Sequence, residues 1–418
     1  MNHQDLRINE DRLMQRIEDL ATIGALGETG SCRLALTDED RDGRDLVVTW
    51  MRDLGLEVTI DGIGNVTATR PGQNPGPATM TGSHIDTVAT GGRYDGNLGV
   101  LAGLEVLETL SENNVETQHA MGVAFFTDEE GARFAPDMLG SLVYVGGMPL
   151  EQALDIEGID GTIVGEELDR IGYRGPGPCP GTPPRAFVEL HIEQGPLLEV
   201  ENTTIGAVTG VQGISWTEYT ITGQSNHAGT TPMHLRHDAG YVAAKIAVTA
   251  RELADRMGGR QVSTVGRINL HPDLVNVVAG QATLTVDLRN TDEALLKSAE
   301  AEIAACVEQL EQSEGVTITS RTLARFEPVV FDPQVVATVE TTAQRLGHSA
   351  TTMPSGAGHD AQMMARVCPT GMVFVPSKDG ISHNPAEHTD QQDLAAGADV
   401  LLQTMLALDA TDFNGDTA

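Results

Sequence analysis

Residues 78–113 read ATMTGSHIDTVATGGRYDGNLGVLAGLEVLETLSEN, and their reading sets the architecture. ATMTGSHIDT has the texture of a strand that empties into a loop, while GVLAGLEVLETLSEN carries the apolar spacing of a helix. Between them lies GSHIDTVATGGRYDGNLGV, 82–100, a glycine-rich stretch holding His84, Asp86 and Asp95 with hardly a side chain bulky enough for a core. The same alternation surrounds it. LVVTWMRDLGLEV (46–58) is a helix leading into a strand, GNVTATR (64–70) a short strand, and HAMGVAFFTDEEG (119–131) again a strand entering an acidic loop. Alternating strands and helices predict an α/β layer with a largely parallel or mixed sheet, whose working loops lie at the carboxyl ends of strands.

Further along, YRGPGPCPGTPPRA (173–186) is dense in Pro and Gly and reads as a loop. From Trp216 the texture changes to strand, helix, strands, helix and strand, which suits a small α+β domain with helices on one face of an antiparallel sheet. Beyond about residue 326 the α/β texture returns and ends in GMVFVPSKDGISHNPAEHTD, a buried strand followed by a His-bearing loop. The expected organisation is therefore a two-segment α/β domain, 1–213 and 327–418, with a mixed sheet between helices, interrupted by a smaller α+β domain over 214–326.

Composition narrows the function classes. The formal net charge is −34, with 60 acidic and 26 basic residues, and the lysines are Lys245, Lys297 and Lys378. Nucleic-acid binding rests on clustered Lys and Arg that displace counterions, so a polyanionic partner or an anionic membrane surface is disfavoured. Acid spread along the whole length resembles proteins of salt-loving organisms, because at molar salt the Debye length is only ~3 Å and self-repulsion is screened. The four cysteines, Cys32, Cys179, Cys306 and Cys368, are too dispersed for a thiolate zinc site or a disulfide framework. With no signal peptide and no long apolar run, the expectation is a soluble cytoplasmic protein.

His84, Asp95, Glu130, His191 and His383 are each expected on a strand-end loop. Imidazoles and carboxylates without cysteine suit zinc, manganese, cobalt or nickel. More than four such groups point to two divalent ions sharing a bridging carboxylate, for which Asp95 is the natural candidate. Asp86, two residues after His84, is placed either to accept a hydrogen bond from the ring nitrogen facing away from a metal or simply to face solvent. Adjacent Glu129 and Glu130 repel unless a cation or proton intervenes. If Glu130 is a ligand, Glu129 is left to take a proton from the attacking water and return it to a leaving nitrogen.

Taken in order, GSHIDTVATGGRYDG, TDEEGARF, ELHIEQGPLLE, GQSNHAGTTPM, DLRN, GAGHDA and SHNPAEHT resemble the dinuclear-metal amidases of the hydantoinase/carbamoylase type. That group includes N-carbamoyl-L-amino-acid hydrolases, allantoate amidohydrolases and β-ureidopropionases, within the aminoacylase and carboxypeptidase superfamily. The resemblance spans almost the whole chain. It implies a homodimer, a middle domain acting as lid and dimerisation module, and a small ureido carboxylate as substrate. It makes His84 and His383 terminal ligands of different metals, has Glu130 and His191 complete the two sites, and gives Glu129 the catalytic base. It also gives His227 the role of stabilising an oxyanion from the partner subunit.

Arg289 is then a two-pronged anchor for a substrate carboxylate, or else an ion pair with Asp287 or Asp292. Gln194, Asn276 and the Gly356-Ala357 backbone resemble the remaining contacts to ureido and carboxylate groups. His359 and Asp360 form a tempting pair, but the resemblance puts no ligand in their loop. The reaction expected is hydrolysis of an N-carbamoyl-L-amino acid to amino acid, ammonia and carbon dioxide. Allantoate hydrolysis is the near alternative and a metallo-exopeptidase or deacylase the distant one. A non-catalytic binding protein on the same fold is disfavoured because all five ligand positions and Glu129 are filled.

Overall fold

The computed structural model describes residues 3–413. The chain divides into two compact units, Met1–Thr209 with Val330–Ala418, and Gly210–Val329. The larger unit opens with α1 (Glu10–Ala21), capped by the Asn9 side chain, and α2 (Asp38–Asp53), capped by Thr37. Its strands are β1 (Glu57–Ile60), β2 (Val66–Arg70), β3 (Thr79–His84), β4 (Met121–Phe126), β5 (Ala186–Ile192) and β6 (Ile205–Val211). Helix α3 (Asn97–Glu112) lies between β3 and β4 in the chain.

The smaller unit folds as β7 (Gly213–Thr222), α4 (Ala239–Met257), β8 (Val262–His271), β9 (Gln281–Asn290), α5 (Glu293–Glu314) and β10 (Thr317–Phe326). The chain then returns to the larger unit with α6 (Pro333–Leu346), β11 (Ala350–Ser355), β12 (Thr370–Val375) and α7 (Gln391–Asp409).

The larger sheet runs β6, β12, β5, β3, β4, β2, β1, with β11 also paired to β6. Its four central strands, β12, β5, β3 and β4, are parallel neighbours, and antiparallel pairs flank them on both sides. The sheet is therefore mixed, in an α/β fold. β3, β4, β5 and β12 are buried at every position, which is why they read as apolar or small runs rather than as alternating strands. Adjacent residues of β5 face opposite layers. The Glu189 carboxylate accepts a hydrogen bond from Ala361 N–H at 2.8 Å, while Leu190 packs where a Cβ on Gly397 of α7 would lie.

In the smaller unit the sheet order is β8, β9, β7, β10, every pair antiparallel. Ala282, Leu284, Val286 and Leu288 alternate inward along β9 and pack with Val242, Ile246, Leu296 and Ile303 from the two helices. Asp287 and Arg289 occupy the intervening positions of the strand, on its other face.

Helix α3 approaches the parallel strands through glycines. A Cβ on Gly99 would come within 2.5 Å of Leu190 O, and one on Gly103 within 2.6 Å of Thr81 Cγ2. We predict that Gly99→Ala lowers the unfolding free energy by about 1–3 kcal/mol through overpacking, outweighing the ~1 kcal/mol that Ala offers over Gly inside a helix. Urea denaturation measures this, and an unchanged or higher midpoint would show that the helix has room to shift.

Candidate metal centre

The parallel strands end together, and the ionisable side chains gather where they end. His84 is the last residue of β3 and His191 the penultimate residue of β5, so neither sits on a loop as expected. The buried run AFVELHI keeps β5 in extended pairing with Phe374 of β12 up to His191. Asp95 lies just before α3, Glu129 and Glu130 follow β4, and His383 follows β12.

Side-chain atoms of His84, Asp95 and His191 lie within 4.8 Å of one another, and so do those of Asp95, Glu130 and His383. Asp95 is common to both groups, with one oxygen turned to each. Its Oδ1 is 3.6 Å from His84 Nε2 and 3.3 Å from His191 Nε2. Its Oδ2 is 3.5 Å from His383 Nε2, which is itself 3.2 Å from Glu130 Oε2. His84 Nδ1–H donates to the Asp86 carbonyl at 2.9 Å and His191 Nδ1–H to the Ile192 carbonyl at 2.8 Å. Both rings therefore turn Nε2 toward Asp95, the tautomer in which Nε2 offers a lone pair to a cation.

The backbone carbonyl of Asp86 performs the task expected of its carboxylate. The carboxylate instead receives long hydrogen bonds, 3.4 Å each, from Glu129 N–H and Glu130 N–H. The turn after β3 explains this, since it brings the carbonyl under the imidazole and sends the side chain toward the loop after β4. Asp86 thus fixes both the His84 ring and the placement of the two glutamates.

Burial, the largest influence on Asp95, opposes its ionisation, yet His191, His84 and His383 outweigh it and hold the carboxyl well below the usual range. Glu129, 3.4 Å from His84 Nε2, is driven the other way, its proton affinity raised well above normal by burial and by Asp360 and Glu130. Asp86 is pushed up to about 6 by burial, against the attraction of His84. The Glu130 contact, more than any other influence, raises His383 to about 9. The adjacent carboxylates thus face different imidazoles, Glu130 that of His383 and Glu129 that of His84, and burial among other carboxylates leaves Glu129 poised to hold a proton. The oxygen and nitrogen donors, with no sulfur among them, fit zinc, manganese, cobalt or nickel.

The local backbone explains the glycines of the opening stretch. Gly96 has φ +65°, donates its N–H to His191 Nε2 at 3.1 Å, and lies so close to His84 that a Cβ would meet the ring at 2.4 Å. A Cβ on Gly92 would meet Glu387 Oε1 at 2.2 Å.

Several supporting residues escaped the sequence reading. Arg33 is fully buried and donates to the carbonyls of Leu20, Ile23 and Ile85, to Ser31 Oγ and to Asn97 Oδ1. It ties both ends of the 85–97 loop to the N-terminal segment, and burial pushes its guanidinium down to about 10. Glu387 receives N–H groups from Tyr94 and Asp95, and Ser382 Oγ lies 2.7 Å from Asp95 Oδ2. A lone arginine in SCRLALTDED was the available signal for the first, and the glutamate of SHNPAEHT for the second.

Gln194, expected against substrate, donates Nε2–H to Asp95 Oδ2 at 2.8 Å from a backbone at φ +59°. His359 packs its ring against His191, centroids 4.6 Å apart, and pairs with Ser355 Oγ at 2.8 Å. Ser355 Oγ in turn accepts the Ala357 N–H, next to Gly356. Glu189, His191 and His359 also lie close enough to share an ion. However, Glu189 is engaged by Ser83 Oγ and Ala361 N–H and His359 by Ser355, so this group forms the back wall.

His227, Asn276 and Arg289 belong to the smaller unit. His227 and Asn276 lie on adjacent paired segments, with Ala228 N–H donating to Asn276 O. His227 Nδ1 accepts Gly229 N–H at 3.0 Å, which leaves Nε2 as the donor, the form an oxyanion stabiliser requires. Arg289 pairs with Asp287 through Nε and Nη2 at 2.9–3.2 Å and lies over the Trp216 ring. The ion-pair alternative raised by the sequence is thus present in the structure.

Comparison with known proteins places these residues in context. Residues 80–407 match the peptidase family M20/M25/M40. The chain is 41% identical over 404 residues to the N-carbamoyl-L-amino-acid amidohydrolase of Rhizobium meliloti, covering 96% of this chain and 97% of that one. It is 34% identical to the allantoate amidohydrolase of Bacillus subtilis, covering 98% and 100%. A hydantoinase/carbamoylase family amidase from Burkholderia multivorans superposes with a TM-score of 0.95 at 43% identity, covering 97% and 99%.

Gly96 offers a direct test of the centre. Gly96→Ala should leave the circular dichroism spectrum unchanged, yet weaken zinc uptake in equilibrium dialysis by about ten-fold or more, as expected when a ligand is misoriented. Wild-type uptake would remove the His84 ring from the cation site.

Proposed function

Because the chain belongs to the peptidase family M20/M25/M40, alongside the hydantoinase/carbamoylase amidases, we propose that it hydrolyses the carbamoyl amide of an N-carbamoyl-L-amino acid. The products are the free amino acid, ammonia and carbon dioxide. The observation that carries this reading is the division of Asp95, with Oδ1 toward His84 and His191 and Oδ2 toward His383 and its neighbour Glu130. Two divalent cations held by these two sets, when bound, would polarise the ureido carbonyl and acidify the attacking water.

Glu129 is the proton carrier. Its raised proton affinity suits a group that removes a proton from water and then delivers it to the leaving nitrogen. His227, with its donor at Nε2, serves the oxygen that becomes negative during attack. Arg289 holds the substrate carboxylate, its plane set by Asp287 and Trp216. Gln194, Asn276 and the Gly356-Ala357 segment supply the remaining polar contacts. Allantoate, which also joins a ureido group to a carboxylate, is the second reading, favoured by the Bacillus subtilis relative.

Ammonia release from a panel of N-carbamoyl-L-amino acids, their carboxamides and allantoate, with manganese or zinc supplied, tests these roles together. We expect turnover of a carbamoyl amino acid and poor use of the carboxamides. Glu129→Gln should slow turnover by ~10² to 10⁴-fold while retaining metal. Silence on every ureido acid would refute the activity, equal rates on acid and carboxamide the role of Arg289, and an undiminished Glu129→Gln the role of Glu129.

The family resemblance supports a cytoplasmic homodimer, with the smaller unit as lid and dimerisation module and His227 acting across subunits, while the acidic composition, which makes subunits repel one another, fits adaptation to high salt. Lowering salt from molar to about 0.1 M lengthens the Debye length from ~3 to ~10 Å, and activity should fall with the dimer fraction in light scattering. A fully active monomer would refute the shared site.

A further inference from the structure

The two halves of the metal centre are held in different ways. The half facing Asp95 Oδ1 is built into the sheet, because His84 and His191 stand on β3 and β5 with their Nδ1 atoms tied to main-chain carbonyls. Facing Oδ2 are Glu130 and His383, both from loops. The His383 side chain is 51% exposed and its backbone is left-handed at φ +54°. Such a residue needs a tether to keep its position.

Glu387 has the geometry of that tether. It is 3% exposed, and its Oε1 accepts the N–H groups of Tyr94 at 3.0 Å and Asp95 at 3.2 Å. Its Oε2 lies 3.1 Å from Ser382 Oγ, the hydroxyl that also reaches Asp95 Oδ2. The chain returns Glu387 under its own loop through an Asn384 turn, in which Asn384 O accepts Glu387 N–H and Asn384 Oδ1 accepts Ala386 N–H. One carboxylate thereby grips the backbone of Asp95 and the residue preceding His383, some 290 positions apart in sequence. Gly92 leaves the space it fills, since a Cβ there would sit 2.2 Å from Oε1.

We propose that Glu387 is a positioning residue for the second cation subsite, fixing Asp95 Oδ2 and His383 relative to each other without itself being a ligand. This rests on the reading of Asp95, Glu130 and His383 as one ligand set. Its signature is selective. Loss of Glu387 should weaken the second ion and spare the first, whereas a merely structural role would disturb both.

Manganese titration of the full-length protein, followed by electron paramagnetic resonance and by elemental analysis after gel filtration, reads the two subsites separately. Wild type should reach two ions with a spin-coupled spectrum. Glu387→Ala should retain one ion with an uncoupled spectrum, its second binding weakened by about ten-fold or more. Glu387→Gln, which keeps an acceptor for the two N–H groups and a donor for Ser382, should restore the coupled pair. Should Glu387→Ala fail to fold, Gly92→Ala, which forces the carboxylate aside, should give the same one-ion spectrum. Two ions at wild-type affinity in the folded variant, or equal loss of both, would overturn the proposal. His383→Ala is the control for the underlying assignment. If it still binds two coupled ions the ligand set itself is wrong, whereas loss of one ion there with none in Glu387→Ala refutes only the role of Glu387.

Discussion

A single carboxylate serving two sets of partners is the constraint that the larger unit is built around. Asp95 is buried, and removing an ionised carboxylate from water costs several kcal/mol unless donors and opposite charge replace the lost hydration. Gln194 and Ser382 supply donors to Oδ2, and imidazoles face both oxygens. The surrounding architecture answers to this need. Four parallel strands deliver the imidazoles and glutamates to one edge, glycines let the main chain pass within contact distance of a ring and a carboxylate, and main-chain carbonyls orient the histidines. Arg33 closes the loop from behind, a buried cation whose five acceptors are all uncharged. That choice keeps its positive charge unspent beneath an acidic site.

Much of this was legible before any coordinates. Apolar runs ending in His or acidic residues announced buried strands with functional carboxyl ends, and β3, β4, β5 and β12 follow them closely. In the smaller unit, strict alternation along β9 separated Leu284, Val286 and Leu288 from Asp287 and Arg289. Residue type together with placement after apolar strands nominated His84, Asp95, Glu130, His191 and His383 as a group, and the family resemblance gave each its expected part.

What could not be read was direction. Whether Asp86 offers its carboxylate or its carbonyl to His84 depends on one turn after the strand, and no spacing rule distinguishes the two. The roles of Arg33 and Glu387 were hidden for another reason. Their partners lie far along the chain, with Ile85 and Asn97 meeting Arg33 and Asp95 meeting Glu387, so local pattern shows the residue but not what it holds. His191 was misplaced on a loop because a histidine in an apolar run looks like a terminator, although the strand tolerates it while its Nδ1 is satisfied by the next carbonyl.

The strand order also governs when this molecule can exist during its synthesis. β12, residues 370–375, is inserted between β5 and β6, which were made some 160 to 180 residues earlier, and it forms the parallel pair beside His191. A ribosome that has released the first 330 residues has completed the whole smaller unit, but a larger unit whose central sheet is still split. The nascent chain must then shelter an open strand edge and a partly assembled acidic cluster until β12 and the loop after it emerge. Closure of the sheet and arrival of His383 and Glu387 beside Asp95 are therefore nearly one event, and a chain that stops short of β12 has neither.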